Sequence, residues 1–99
     1  MTILEDHIEE IKRLCSKHNV KQLYVFGSVI SNKFNDKSDV DLIVDFDSID
    51  IAHYADNYYD FKYSLQDLLQ KPVDLLEEKA IRNPYFREVI EKQRQLIYG

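Results

Sequence analysis

One cysteine, two glycines, two prolines and no tryptophan leave this 99-residue sequence few of the devices that small proteins use in place of a core. A single cysteine, Cys15, excludes an internal disulfide and any Cys-x-x-Cys metal motif, and it reads better as a small core hydrophobe than as a nucleophile. No apolar run approaches the roughly 20 residues needed to span a bilayer. The N-terminal MTILEDHIEEIK is acidic and amphipathic, with neither the basic start nor the apolar centre of a signal peptide, so the expected compartment is the cytoplasm. Positive charge is also short. Thirteen Lys and Arg against 18 Asp and Glu give a net charge of −5, which opposes unaided binding to a phosphate polymer. Repeats, linkers and low-complexity tracts are missing too, and the length suits one domain spanning residues 1–99.

What remains is ordinary globular composition with legible periodicity. Leu4, Ile8, Ile11 and Cys15 recur at helical spacing, and Thr2 with Glu5 fits a capping box, predicting a helix from Thr2 to about His18. Gln22–Phe26 reads as a strand ended by Gly27, and Val29 to Lys33 as a short helical turn. The polar stretch from about Ser31 to Ser38 is a loop, and Asp39–Phe46 is the clearest strand, rich in β-branched residues. Ile51, Tyr54, Tyr58, Phe61, Leu65 and Leu68 alternate at steps of three and four, predicting a helix to about Gln70 with one buried stripe. Pro72 stops it, and Val73–Leu76 is a short buried-strand candidate. Asn83-Pro84 starts a last helix as cap and first helical residue. Gln95–Tyr98 is either that helix's final turn or an edge strand. The order predicts an α/β (α+β) domain, a small mixed sheet of three to four strands packed with helices.

The chemistry concentrates between two strands. Gly27-Ser28 is followed by ten residues and then Asp39-Val40-Asp41. Alternate residues on a strand share a face, so Asp39 and Asp41 are expected to project together, with Asp45 further along. Asp is depleted in strands, and this much acid on a run of Val, Leu, Ile and Phe asks for a counter-charge such as magnesium. Asp45 itself reads as structural or solvated. A glycine ending a strand lets backbone N–H groups approach an anion, and Ser28 adds a hydroxyl donor. Asp74, between Val73 and Leu75, is either a strand-end surface residue or a further site carboxylate. It joins the first two only if its strand lies beside Asp39–Phe46.

Taken together, Gly27-Ser28, Asp39-Val40-Asp41 and Asp74 resemble the signature of the DNA polymerase β-like nucleotidyltransferases, and most closely the minimal nucleotidyltransferases of about this length. The likeness covers roughly Leu23 to Leu76 and implies a polymerase β-like nucleotidyltransferase fold. It also implies a reaction: transfer of AMP, or another nucleoside monophosphate, from an NTP such as ATP to an acceptor hydroxyl. By the same likeness Asp39, Asp41 and Asp74 would be catalytic and would ligate two Mg²⁺ ions. Gly27 and Ser28 would hold the triphosphate. Many minimal members carry small residues and an Arg directly after Gly-Ser, whereas this chain reads Val29-Ile30-Ser31-Asn32. The remaining triphosphate contacts would fall to Lys33 or Lys37, two residues that by themselves read better as solvated loop charges.

Larger members of that family add an acceptor-binding domain, for which these 99 residues leave no room. The acceptor is then expected on an exposed face or from a partner. Minimal nucleotidyltransferases are typically encoded beside a HEPN-domain protein, and characterised pairs act as toxin and antitoxin, with AMP placed on a toxin tyrosine. The implied function is therefore that of an antitoxin adenylyltransferase in a hetero-oligomer with a HEPN protein, without membrane or direct nucleic-acid binding. A small-molecule nucleotidyltransferase of the aminoglycoside type and an inert module capping the HEPN partner are the alternatives. Tyr59, Tyr63, Tyr85 and Tyr98 are candidates for the partner-facing surface. His7, His18 and His53 form no ligand pattern.

Overall fold

Hydrophobic residues on both faces mark Val40–Phe46 as the strand the rest is built around. Val40, Leu42, Val44 and Phe46 point to one side and Ile43 to the other, and all five are buried. The computed structural model describes residues 2–27 and 39–99. Along them run α1 (Thr2–Glu5), α2 (Ile8–Lys17), β1 (Val20–Phe26), β2 (Val40–Phe46), α3 (Ile51–Leu69), β3 (Val73–Glu77), a 3₁₀ turn at Glu78–Ala80, α4 (Pro84–Gln93) and β4 (Gln95–Tyr98). The four strands form one sheet in the order β3-β2-β1-β4. β2 and β3 are parallel, joined by the α3 crossover, while β1 is antiparallel to both β2 and β4. The sheet is thus mixed, as expected, and Gln95–Tyr98 is its fourth strand rather than a helical turn.

The core lies between one face of the sheet and the helices α2 and α3. Leu4, Ile11 and Cys15 from the N-terminal segment meet Leu23 and Val25 of β1, the even-numbered residues of β2, and Phe61, Leu65 and Leu69 of α3. Phe61 is completely buried and packs edge-on to Phe46, with ring centroids 6.0 Å apart. Burial pushes the Cys15 thiol up to about 12, in keeping with a core role.

Several local expectations need correction. The predicted first helix is two pieces, broken at Asp6-His7. There the His7 amide bonds the Leu4 carbonyl (3.2 Å), a tighter closure than an α-turn, and α2 begins with Ile11 N–H on the His7 carbonyl. Leu4 and Ile11 are in the core while Ile8 between them is only partly buried, so no single stripe runs through both pieces. Ile51, expected in the buried stripe of α3, is 94% exposed, because it opens the helix one turn before Tyr54, the first of its residues to pack on the core. Leu69 is buried in the last turn. Tyr98, one of the four tyrosines considered for a partner-facing surface, is partly buried and packs against the core. The Asn83 cap forms as predicted, its side chain accepting from the Tyr85 and Phe86 amides.

His18 had no sequence signal and turns out to be a structural pin. It is 2% exposed, its Nδ1 lies 2.7 Å from the Leu14 carbonyl, and its Nε2 lies 2.7 Å from Asp60 Oδ2 on α3. This contact, with the Asn57 amide donating to the His18 carbonyl, ties the end of α2 to α3. The hydrogen bond from His18 holds the Asp60 carboxyl below the usual range. On the sheet's other face, Glu78 is the anchor. Arg87 of α4 and Arg94 just beyond it bond its two carboxylate oxygens at 2.9 and 2.7 Å, and Arg94 also lies over the Tyr24 ring, 4.1 Å from its centroid.

Candidate active site

The parallel register of β2 and β3 sets Asp41 directly opposite Asp74. Partners in a parallel ladder share a face, so two carboxylates from segments 33 residues apart stand side by side. Across the other edge of β2, Asp41 is opposite Phe26, the last residue of β1 before Gly27. The condition set on Asp74 by the sequence, that its strand neighbour β2, is met.

Gly27 closes the third side. Its φ is +77°, a left-handed conformation that side chains rarely adopt, and a Cβ there would fall 2.5 Å from Asp41 Oδ2. Glycine lets the backbone pass this close to the carboxylate without displacing it. Asp39 lies just before β2 rather than in it, exposed, and its charge is felt at Asp41. The Asp41 carboxyl is raised above its ordinary range, first by partial burial, then by the charges of Asp74 and Asp39. Three acids thus gather at one end of the sheet without a basic residue among the causes acting on Asp41.

The expected site residues divide as follows. Gly27, Asp39, Asp41 and Asp74 come to the same end of the sheet. Ser28, Lys33 and Lys37, together with the helical turn expected over Val29–Lys33, lie outside the described residues. Asp45 is on the same face of β2 as Asp41 but at the other end, 3.6 Å from Lys79 Nζ, with an Oδ1 that has no hydrogen-bond partner among the described residues. It is structural, one of the two readings the sequence allowed.

The donor set is all carboxylate oxygen, which suits a hard divalent cation. Among the described residues no group of three His, Cys, Asp or Glu side chains closes into a cage for a metal ion. Asp39, Asp41 and Asp74 thus form no such group by themselves; magnesium is usually held by one or two carboxylates plus the phosphates of a substrate rather than by an all-protein shell. The raised Asp41 carboxyl points the same way, since a cation there would relieve the repulsion that burial and its two neighbours impose.

A mixed sheet with Gly27 packed on Asp41, and Asp74 delivered beside it by a helical crossover, is the arrangement that the resemblance to the nucleotidyltransferases implied. Comparison with known sequences agrees and is more specific. The family described as "Polymerase beta, Nucleotidyltransferase" matches residues 9–99, and the chain belongs to it. A Methanocaldococcus jannaschii protein named "putative protein adenylyltransferase" is 36% identical over 99 residues, covering 92% of this chain and 96% of the relative. A solved structure described as a "putative minimal nucleotidyltransferase" superposes with a TM-score of 0.77 at 28% identity, over 93% of this chain and 90% of that one. The fold also matches, at a TM-score of 0.65 and 19% identity over 96% of this chain and 71% of that one, a chain from the complex of a tri-AMPylated Shewanella oneidensis HEPN toxin with an MNT antitoxin. Among the described residues no helix is long and apolar enough to cross a membrane.

Proposed function

We propose that this chain is an antitoxin-type protein adenylyltransferase that moves AMP from ATP to a tyrosine hydroxyl of a HEPN-domain partner in the cytoplasm. The observation that carries the proposal is the register match of Asp41 with Asp74 beside a glycine where any side chain would press on the Asp41 carboxylate. The relative named as a protein adenylyltransferase, and the fold shared with a chain from a HEPN–antitoxin complex, support the choice of acceptor.

In this reading the phenol oxygen of the acceptor attacks the α-phosphorus of ATP. A new P–O bond forms, the bond to the β-phosphate bridging oxygen breaks, and pyrophosphate leaves. Asp74, on the edge strand, takes the phenol proton as the new bond forms. Asp39 and Asp41 would hold a Mg²⁺ ion that also binds the triphosphate, and Asp74 is the further carboxylate that would face it. The backbone at Gly27 and the Ser28 hydroxyl receive the phosphate oxygens, with Lys33 or Lys37 adding charge. A divalent cation bound there supplies neutralisation of the charge that develops on the departing pyrophosphate. The protein's own contribution is mostly position: an in-line approach for the acceptor and a fixed triphosphate.

The experiment is transfer from ATP labelled at the α-phosphate to the HEPN protein encoded beside this chain's gene, in the presence of magnesium. Label on a partner tyrosine, with none from the Asp39→Asn/Asp41→Asn double variant, is the expected result. Binding of the partner without any label would favour an inert cap, and transfer by the double variant would overturn the metal assignment.

A further inference from the structure

Asp74 stands on β3, a strand of five residues at the edge of the sheet, paired with β2 on one side only. Its side chain shares with Asp41 the face turned away from the core, while Val73 and Leu75 on either side of it are buried. Two features work against this rung of the ladder. An edge strand leaves the backbone groups on its outer side without strand partners, and the Asp74 charge repels the carboxylate opposite it. A slip of one residue would turn Asp74 into the core, and a slip of two would set it opposite Asp39 or Ile43.

Side chains of α3 close the outer side. The Val40 amide donates to the Pro72 carbonyl (3.0 Å), so residues 72, 74 and 76 turn their backbone groups toward β2. Residues 73, 75 and 77 turn theirs away. On that outer side the Val73 amide donates to Gln66 Oε1 (3.1 Å), and the Leu75 carbonyl accepts from the Tyr58 hydroxyl (2.5 Å). The two bonds bracket Asp74, one on the residue before it and one on the residue after. A third tether follows at the strand's end, where the Tyr54 hydroxyl donates to the Glu77 carboxylate. Tyr54, Tyr58 and Gln66 thus meet β3 at 77, 75 and 73 in turn, so α3 runs alongside the strand in the opposite direction. Its side chains stand where a further strand would otherwise pair.

We infer that Tyr58 and Gln66 are positioning residues for the transfer reaction: by holding the backbone on both sides of Asp74 they keep its carboxylate level with Asp41 against the repulsion between the two. The inference rests on the proposed function for the role of Asp74, while the pinning itself is read from backbone exchange, which needs no substrate.

The test compares Tyr58→Phe, which removes one hydroxyl, with Gln66→Met, which removes the acceptor at similar length, singly and together in the full chain. Hydrogen exchange followed by NMR should show the Val73 amide losing its protection in the Gln66→Met chain. The amides of Asp74 and Leu76 should exchange at least tenfold faster in the double variant. With ATP, magnesium and the HEPN protein encoded beside this chain's gene, the double variant should keep its KM for ATP, since Gly27, Asp39 and Asp41 are untouched. Its kcat should fall tenfold or more, because a displacement near 1 Å can cost about 100-fold. Gln66→Glu keeps an acceptor oxygen and should restore most of the rate. Asn57→Ala is the control, because it removes the tie from α3 to the His18 carbonyl without touching β3; it should lower the melting temperature and leave kcat unchanged. Full kcat in a double variant whose Val73 amide has lost protection overturns the inference and leaves the proposed function standing. So does Val73 protection that survives Gln66→Met, or an equal loss of kcat in the Asn57→Ala chain, which would make the effect one of general loosening. If the unsubstituted chain transfers no AMP, both fall.

Discussion

Replacing Gly27 with alanine should cost both stability and activity. The glycine sits at φ +77°, and forcing an L side chain into that region costs about 1–2 kcal/mol. The new Cβ would also lie 2.5 Å from Asp41 Oδ2, closer than any real contact. The clashing atom is the tip of a side chain, so Asp41 can yield by leaving its rotamer at a cost of about 0.5–1.5 kcal/mol. The combined loss is about 1.5–3.5 kcal/mol, which for a domain this size lowers the melting temperature by roughly 6–28 °C. The carboxylate that moves is the one facing Asp74, and a misplacement near 1 Å can cost about 100-fold in rate. A double-mutant cycle isolates the contact. In an Asp41→Ala background the Cβ of residue 41, 3.4 Å away, is an ordinary neighbour, so Gly27→Ala should then cost only its backbone strain, leaving a coupling of about 1 kcal/mol. Urea or thermal unfolding of the four proteins provides the numbers. Equal costs in the two backgrounds would refute the claim that Gly27 is glycine because of Asp41.

Three further outcomes follow from the same structure. The raised Asp41 carboxyl means that its charged form is disfavoured in the fold, so this group subtracts stability as pH rises through and above the ordinary carboxylate range. Asp74→Asn should therefore raise the melting temperature at pH 7 in chelator, and magnesium should raise that of the unsubstituted chain; a fall in either case contradicts the electrostatic reading. Cys15, pushed up to about 12, should resist a thiol-alkylating reagent at pH 8 in the native protein and react at once in denaturant, a contrast followed by mass. Phe61→Ala should cost about 3–5 kcal/mol in unfolding experiments, as truncation of a fully buried aromatic does.

Much of this was visible in the sequence because the signals were periodic. The α3 stripe, the β-branched run of β2 and the Asn83-Pro84 start each follow from spacing or local chemistry, and each is where it was expected, save for Ile51 at the helix end. The neighbourhood of Asp41 and Asp74 was only conditional, since strand order depends on how α3 crosses the sheet and no local pattern encodes it. The break at Asp6-His7 was hidden for a related reason. Leu4, Ile8 and Ile11 fit one stripe in sequence, but the turn between them is set by what Leu4 packs against. His18, Glu78, Arg87 and Arg94 gave no signal because their partners lie on separate elements. Those contacts hold the frame, whereas the acids at the end of the sheet were legible because acidic residues on an apolar strand are anomalous.

The most direct test of the central claim is the mass of the HEPN partner after incubation with this chain, ATP and magnesium. Addition of one or more adenylyl groups at tyrosine, absent when Asp39 and Asp41 are both asparagine, is the predicted result. A partner that binds tightly yet keeps its original mass, with ATP and magnesium saturating, would contradict it.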